Sequence, residues 1–346
     1  MSSLNLKRQS HLPRDVQTAS RTLKLGSCIA LLLFSVTATL FAEASKLPNG
    51  KYPYNTFIIP LTVEVCKLFF SSLLLVSDYV RARHASASPR INTQFMVTKV
   101  MRYAVPAFCY FISNNCMFYI IQDLGPSTFQ VTNNLKILTS GVLMRIFLGR
   151  KLSWLKWKAL MILAIGSMVT QLKTTVTDAA QHKMPLSSGH GTARAYIIVS
   201  FNAFAAGAGG VFSEKLLKSK EITHVTDITA QSIHWQNIQL YFFGAVFGVL
   251  SLHTNHVEIS VGIFAGFNTY AYATVATLTI CGLLVSFILK YIDNVAKCFV
   301  ATLSMICVAF IDTAMKGEGF SLQLILGILL TCIALEQYNL SDLYSN

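Results

Sequence analysis

Tyr110-Phe-Ile-Ser-Asn114-Asn115-Cys-Met-Phe-Tyr-Ile-Ile-Gln-Asp-Leu-Gly-Pro126-Ser-Thr-Phe129-Gln130-Val-Thr-Asn133-Asn134-Leu-Lys136-Ile-Leu-Thr-Ser140 is a long apolar passage broken by a phenol, several amides and one lysine. An amide buried in hydrocarbon costs on the order of a few kcal/mol and an ammonium more, so such residues face a cavity or a partner. Their spacing supports a cavity. Phe129, Asn133, Lys136 and Ser140 recur at steps of four, three and four, which is one face of a helix. Tyr110 and Asn114 likewise share a face on the preceding helix. A phenol, amides and one buried cation converging on one space suit a ligand that is polar, anionic and part aromatic.

The rest of the chain sets this passage in a membrane. Of 346 residues, 53% are hydrophobic and 12% charged, about half the usual charged share, and the mean hydropathy is +0.53. That excludes a soluble globular domain and predicts an all-α polytopic membrane protein. The net charge of +13 would suggest nucleic acid in a soluble protein. Here the basic residues sit in short segments between apolar runs, as the positive-inside rule requires, so no nucleic-acid partner is expected. All eight cysteines lie within apolar runs and none forms a CxxC pair. Neither a metal site nor a disulfide framework is indicated, and no cofactor is expected. There is no HExxH, GxSxG or Walker motif, so the chain does not read as an enzyme.

At roughly 20 apolar residues per span, ten helices are predicted near 25–43, 56–77, 100–122, 126–147, 154–172, 194–213, 234–253, 271–291, 295–313 and 320–338. Residues 1–24 carry Lys7, Arg8, Arg14, Arg21 and Lys24 against Asp15. They read as a cytosolic basic tail, and a serine- and arginine-rich, acid-poor start also fits a transit peptide. Counting Lys and Arg in alternate loops gives roughly 20 on the side of the N-terminus and roughly six on the other, so both termini are expected in the cytosol. The segments that open at Asn134-Leu-Lys136 and at Asn294-Val-Ala-Lys297 look equivalent. They predict two five-helix repeats, 25–192 and 193–338, followed by a cytosolic tail, 339–346. Five is odd, so the repeats are inverted, as in carriers that bind at the midplane between halves.

Other polar residues fall inside the spans. Glu64 and Lys67 lie three apart and can pair, either as a structural ion pair or as a ligand contact or gate. Lys136 has no acid within a turn, which favours a bound anion over snorkelling to the interface. Gly207, Gly209 and Gly210 let a helix or a flat ring approach the backbone closely. Asn237 and Tyr241 share a face, as do Ser286 and Lys290, although a lysine at a span's end also reads as an ordinary flank.

Asn114-Asn115, Pro126-Ser-Thr-Phe129-Gln130-Val-Thr-Asn133-Asn134-Leu-Lys136-Ile, Glu214-Lys215-Leu-Leu-Lys218, Trp235-Gln-Asn237-Ile-Gln-Leu-Tyr241 and Gly282-Leu-Leu-Val-Ser286-Phe-Ile-Leu-Lys290-Tyr-Ile-Asp293-Asn294 together resemble nucleotide-sugar transporters. The branch is that of CMP-sialic acid, UDP-galactose and UDP-N-acetylglucosamine carriers. Asn49-Gly-Lys-Tyr-Pro-Tyr54 and Glu64-Val-Cys-Lys67 are similar to plant and protist CMP-sialic-acid-transporter-like members. The resemblance implies the drug/metabolite transporter fold, with ten helices in two inverted halves. It implies exchange of a cytosolic nucleotide sugar for lumenal nucleoside monophosphate (CMP or UMP) across a Golgi membrane, and a homodimer is compatible with it. It further implies that Tyr110, Asn114, Lys136 and Lys290 surround phosphate and ribose, that Asn237, Tyr241, Ser286 and the glycines at 207–210 hold the base, and that Glu64 and Lys67 lie towards the sugar. Phe129 and Asn133 stand where CMP-sialic acid carriers have tyrosines, which leaves the sugar open. The competing readings are a carrier of another phosphorylated metabolite, in a plastid envelope if the tail is a transit peptide, and a non-transporting scaffold for a glycosyltransferase.

Overall fold

In hydrocarbon no water satisfies backbone N–H and C=O groups, so an apolar chain of this kind must close its hydrogen bonds within each segment. The computed structural model, which describes residues 20–84, 100–124, 133–150, 152–181, 189–219, 232–255, 262–315, 317 and 321–343, does so with helices, and no strand occurs among the described residues. In chain order they are α1 (Arg21–Ala44), α2 (Ile58–His84), α3 (Ala104–Leu124), α4 (Leu135–Phe147), α5 (Trp154–Gln181), α6 (Gly189–Lys218), α7 (Ile233–Thr254), α8 (Thr269–Tyr291), α9 (Asn294–Met315) and α10 (Leu322–Leu343).

Short polar residues start several of them. Ser20 accepts from the Leu23 N–H at 3.2 Å, Ser232 from His234 at 3.1 Å, Asn268 from Ala271 at 2.9 Å and Asp293 from Ala296 at 2.7 Å, each relieving an orphan donor of the first turn. Hydroxyls inside the spans bond back to their own helix, as Thr62 does to the Ile58 carbonyl (2.8 Å) and Thr279 to the Val275 carbonyl (2.7 Å).

Among the described residues, five helical stretches are long and apolar enough to cross a membrane: Arg21–Ala44, Ile58–Arg81, Tyr196–Lys218, Thr269–Tyr291 and Asn294–Met315. Large apolar side chains such as Leu25, Ile146 and Ile197 stand mostly exposed on the outside of the bundle, where lipid rather than water suits them. The protein is an all-helical polytopic membrane protein. The remaining helices fall short of that apolarity for identifiable reasons. α7 carries Gln236, Asn237 and Gln239, all buried and therefore turned inward. α4 starts at Leu135, and residues 126–132 of its predicted stretch lie outside the described residues. α6 begins at Gly189, so the predicted division between halves at 192/193 falls in its first turns.

The packing follows a pattern. α5 lies on α10 and α2 on α7; α3 lies on α6 and α1 on α8; α4 lies on α6 and α1 on α9; α3 lies on α7 and α2 on α8; α4 lies on α5 and α9 on α10. Shifting each helix number by five, counted around ten, returns α5–α10 and α2–α7 to themselves and exchanges the two members of each of the other four couples. The contact of α8 with α6 has no counterpart of similar extent. The largest apolar core joins α4, α5, α6, α9 and α10 through Met144, Leu163, Val211, Val295 and Ala334, and a second joins α1, α8 and α9 through Leu31, Ile288 and Val300. Leu163 is fully buried in the first. Leu163→Ala is expected to lower stability by about 2–5 kcal/mol, read as a fall in the thermal unfolding midpoint of the purified protein.

Candidate functional site

Helices α2, α3, α6, α7, α8 and the first turn of α9 enclose a cavity of about 340 Å³, within the range of small-molecule sites. Phe111 of α3 and Phe247 of α7, with ring centroids 5.6 Å apart, make part of an apolar wall. The polar lining is concentrated in Glu64 and Lys67 of α2, Tyr110 and Asn114 of α3, Tyr241 of α7, Ser286 of α8 and Lys297 of α9.

These groups are held in a chain of contacts. Lys67 Nζ lies 2.5 Å from Glu64 Oε1 and 4.4 Å from the centroid of the Tyr241 ring, so the ammonium is met by a carboxylate and a π-face together. The Tyr241 hydroxyl donates to the Gly282 carbonyl at 3.2 Å and shares a hydrogen bond of 2.6 Å with Ser286 Oγ. Glu64 and Lys67 thus cancel in charge. Lys297 has no carboxylate within ion-pairing distance among the described residues. An ammonium beside an apolar cavity favours an anionic partner there.

The residues expected from sequence fall into three groups. Tyr110, Asn114, Tyr241, Ser286, Glu64 and Lys67 line the cavity. Gly209 and Gly210 lie behind it and shape it. A Cβ on Gly209 would meet Tyr110 Cε1 at 3.0 Å, and one on Gly210 would meet Lys297 Nζ at 2.8 Å and the Asn294 amide as well. Bare backbone at these positions is what lets the ring and the ammonium sit where they do. The third group stands off the lining. Asn133 and Lys136 lie at the start of α4 and are half-buried. Asn237 is buried, with its Oδ1 lacking a partner. Lys290 donates to Gln236 Oε1 at 3.0 Å, away from the cavity. Phe129 and Gln130 lie outside the described residues.

Lys297, and not Lys290, lines the cavity in addition to Lys67. The sequence reading noted Lys297 only as part of Asn294-Val-Ala-Lys297, matched there with Asn134-Leu-Lys136. Asn115, Ser213 and Ser251 are further lining residues without assigned roles in the sequence reading. Asn115 Oδ1 accepts from Asn255 Nδ2 (3.0 Å) and Ser251 Oγ (3.4 Å), tying α3 to α7.

The model for the family described as "Nucleotide-sugar transporter" matches residues 19–339. The chain belongs to the nucleotide-sugar transporter family. It is 32% identical over 297 residues to CMP-sialic acid transporter 1 of Oryza sativa subsp. japonica, covering 84% of this chain and 86% of that protein. It is 30% identical over 319 residues to CMP-sialic acid transporter 1 of Arabidopsis thaliana, covering 90% and 88%. It is also 29% identical over 287 residues to the UDP-N-acetylglucosamine transporter of Mus musculus, covering 80% and 83%. One solved crystal structure superposes with a TM-score of 0.61 at 12% identity, over 93% of this chain and 98% of its own, a likeness of fold alone. For a nucleotide-sugar transporter the arrangement is coherent, because recognition needs fixed dipoles and charge but no reacting group. Among the described residues no cluster of His, Cys, Asp or Glu could hold a metal ion. Tyr241→Phe removes the donor to Gly282 and strands the Ser286 hydroxyl while keeping the ring under Lys67. It is expected to cost about 1–2 kcal/mol of stability, measured by thermal unfolding.

Proposed function

We propose that this nucleotide-sugar transporter is an antiporter that carries a CMP- or UDP-sugar from the cytosol into the Golgi lumen and returns the nucleoside monophosphate. The observation that carries this reading is Lys297, a lysine that lines the apolar cavity with no carboxylate paired to it among the described residues. A phosphodiester or pyrophosphate is a partner that suits such an ammonium. Tyr110, Asn114 and the Phe111–Phe247 wall then offer ribose and base a polar edge and a flat apolar side, and Glu64 with Lys67 offers the sugar an acceptor and a donor.

Alternating access follows if the two halves, α1–α5 and α6–α10, are inverted repeats that rock about the occupied cavity. The packing pattern that survives a shift of five helices supports this. Exchange follows from electrostatics. Passing between the two states empty would leave Lys297 uncompensated in a low-dielectric bundle, whereas a nucleotide bound in each direction neutralises it. The basic loops and the even number of helices support cytosolic termini.

The test is exchange in proteoliposomes. Vesicles loaded with CMP or UMP are offered labelled CMP-sialic acid, UDP-galactose or UDP-N-acetylglucosamine. Uptake should require internal nucleotide and fall by roughly a hundredfold in Lys297→Ala, as expected when a buried charged partner is removed. Lys290→Ala should retain most of it. Uptake that ignores CMP and UMP inside and outside would assign the cavity to another phosphorylated metabolite.

A further inference from the structure

At one end of the bundle the cavity is bounded by a knot of polar side chains centred on Glu214, whose carboxylate is fully buried. Glu214 Oε1 lies 3.0 Å from the Arg150 guanidinium and 2.7 Å from Lys218 Nζ. Its Oε2 accepts the backbone N–H of Asn294 at 2.9 Å. Arg150 also reaches Asp293 Oδ2 at 3.6 Å, Lys218 donates to the Ile292 carbonyl, and the Tyr338 hydroxyl lies 3.5 Å from Asp293 Oδ2. One carboxylate thereby ties together the segment after α4, α6, the α8–α9 corner and, through Tyr338, α10.

The knot is contiguous with the cavity. Ser213 lines it and precedes Glu214 in α6; Lys297 lines it and stands one turn beyond Asn294 in α9. In this arrangement Ser213 Oγ and both side-chain polar atoms of Asn294 are buried without a partner among the described residues. Buried polar groups without partners call for an explanation, and helices that shift past one another offer one. The other end is tied differently. The five-helix shift relates α6 to α1, whose last turn carries Glu43. That carboxylate's side chain is 69% exposed and pairs, among the described residues, with Lys46 of its own chain turn at 2.6 Å. The opposite end is also tied between elements, by Asn268 Nδ2 to the Ser45 carbonyl (2.9 Å), Ser45 Oγ to the Tyr54 hydroxyl (2.6 Å) and Asn255 Nδ2 to Asn115 Oδ1 (3.0 Å), but among the described residues these are neutral hydrogen bonds with no buried carboxylate at their centre.

We propose that the Glu214 knot is a gate that seals the cavity at the end bearing Arg150 and Lys218, and that the cavity opens to that side only when Arg150 and the α8–α9 corner leave Glu214. This rests on the transport reading given above. A carboxylate with zero exposure cannot part from its partners by small degrees, because each intermediate position leaves it buried and unpaired. The seal is therefore either made or broken. An anion on Lys297 acts on the first turn of α9, the same turn whose N–H holds Glu214, so occupancy and sealing share one helical turn.

The experiment is sided thiol labelling of the full-length chain in liposomes. Ser213→Cys is introduced as the reporter, with the unmodified chain supplying the background of the native thiols. A membrane-impermeant maleimide is applied from the Arg150 side. Adding Arg150→Gln, a position already 37% exposed, should speed labelling from that side by roughly tenfold, the population shift expected on losing one partner of a two-state seal. Arg150→Lys should restore the slow rate. If Arg150→Gln does not fold, Lys218→Gln gives the same reading. Equal labelling rates with and without Arg150→Gln, at unchanged unfolding temperature, would overturn the gate. Labelling needs no substrate, so the two readings separate. If no nucleotide crosses while Arg150→Gln still exposes the reporter, the gate stands and the cargo assignment falls. If nucleotide exchange persists with the reporter unmoved by the substitution, the gate falls and the cargo assignment stands.

Discussion

Charge inside an apolar bundle must be met by charge, and the placement of every ionisable group near the cavity answers to that constraint. Glu214, with no exposed surface, is met by Arg150, Lys218 and a helix N–H. Lys67 is met by Glu64 and by the face of Tyr241. Lys290 is turned to the amide of Gln236. Lys297 differs, since it lines the cavity with no carboxylate paired to it among the described residues.

Room itself depends on where the backbone lacks side chains. Helix pairs in a membrane gain little from hydrophobic exclusion, so their approach is set by small residues and by packing. Gly209 and Gly210 let α6 come close to Tyr110 of α3 and to the first turn of α9. The same contacts decide which way the phenol and the ammonium face. Recognition and packing are therefore one problem here, solved by the same few positions on α6.

Much of this was legible in the sequence because it is local. Apolar runs placed the helices, though α2 and α5 run on to His84 and Gln181, seven and nine residues past their expected ends, and helical spacing put Tyr110 with Asn114 and Glu64 with Lys67, as the cavity lining has them. What was not legible is long-range. Arg150 read as one more basic residue in a loop, yet it lies against Glu214, whose carboxylate no periodicity links to it. The family resemblance implied Lys290 at the phosphate, although a lysine at a span's end also read as an ordinary flank; beyond the turn at Ile292 it is the next lysine, Lys297 in the first turn of α9, that lines the cavity. Helix-face arithmetic stops at a helix end.

All eight cysteines are free thiols, most of them at least partly buried within helices. No covalent cross-link joins any two elements, so the bundle relies on packing, hydrogen bonds and the few buried ion pairs alone. Such a fold has no disulfide to lose in a reducing environment and needs no oxidising one in order to assemble.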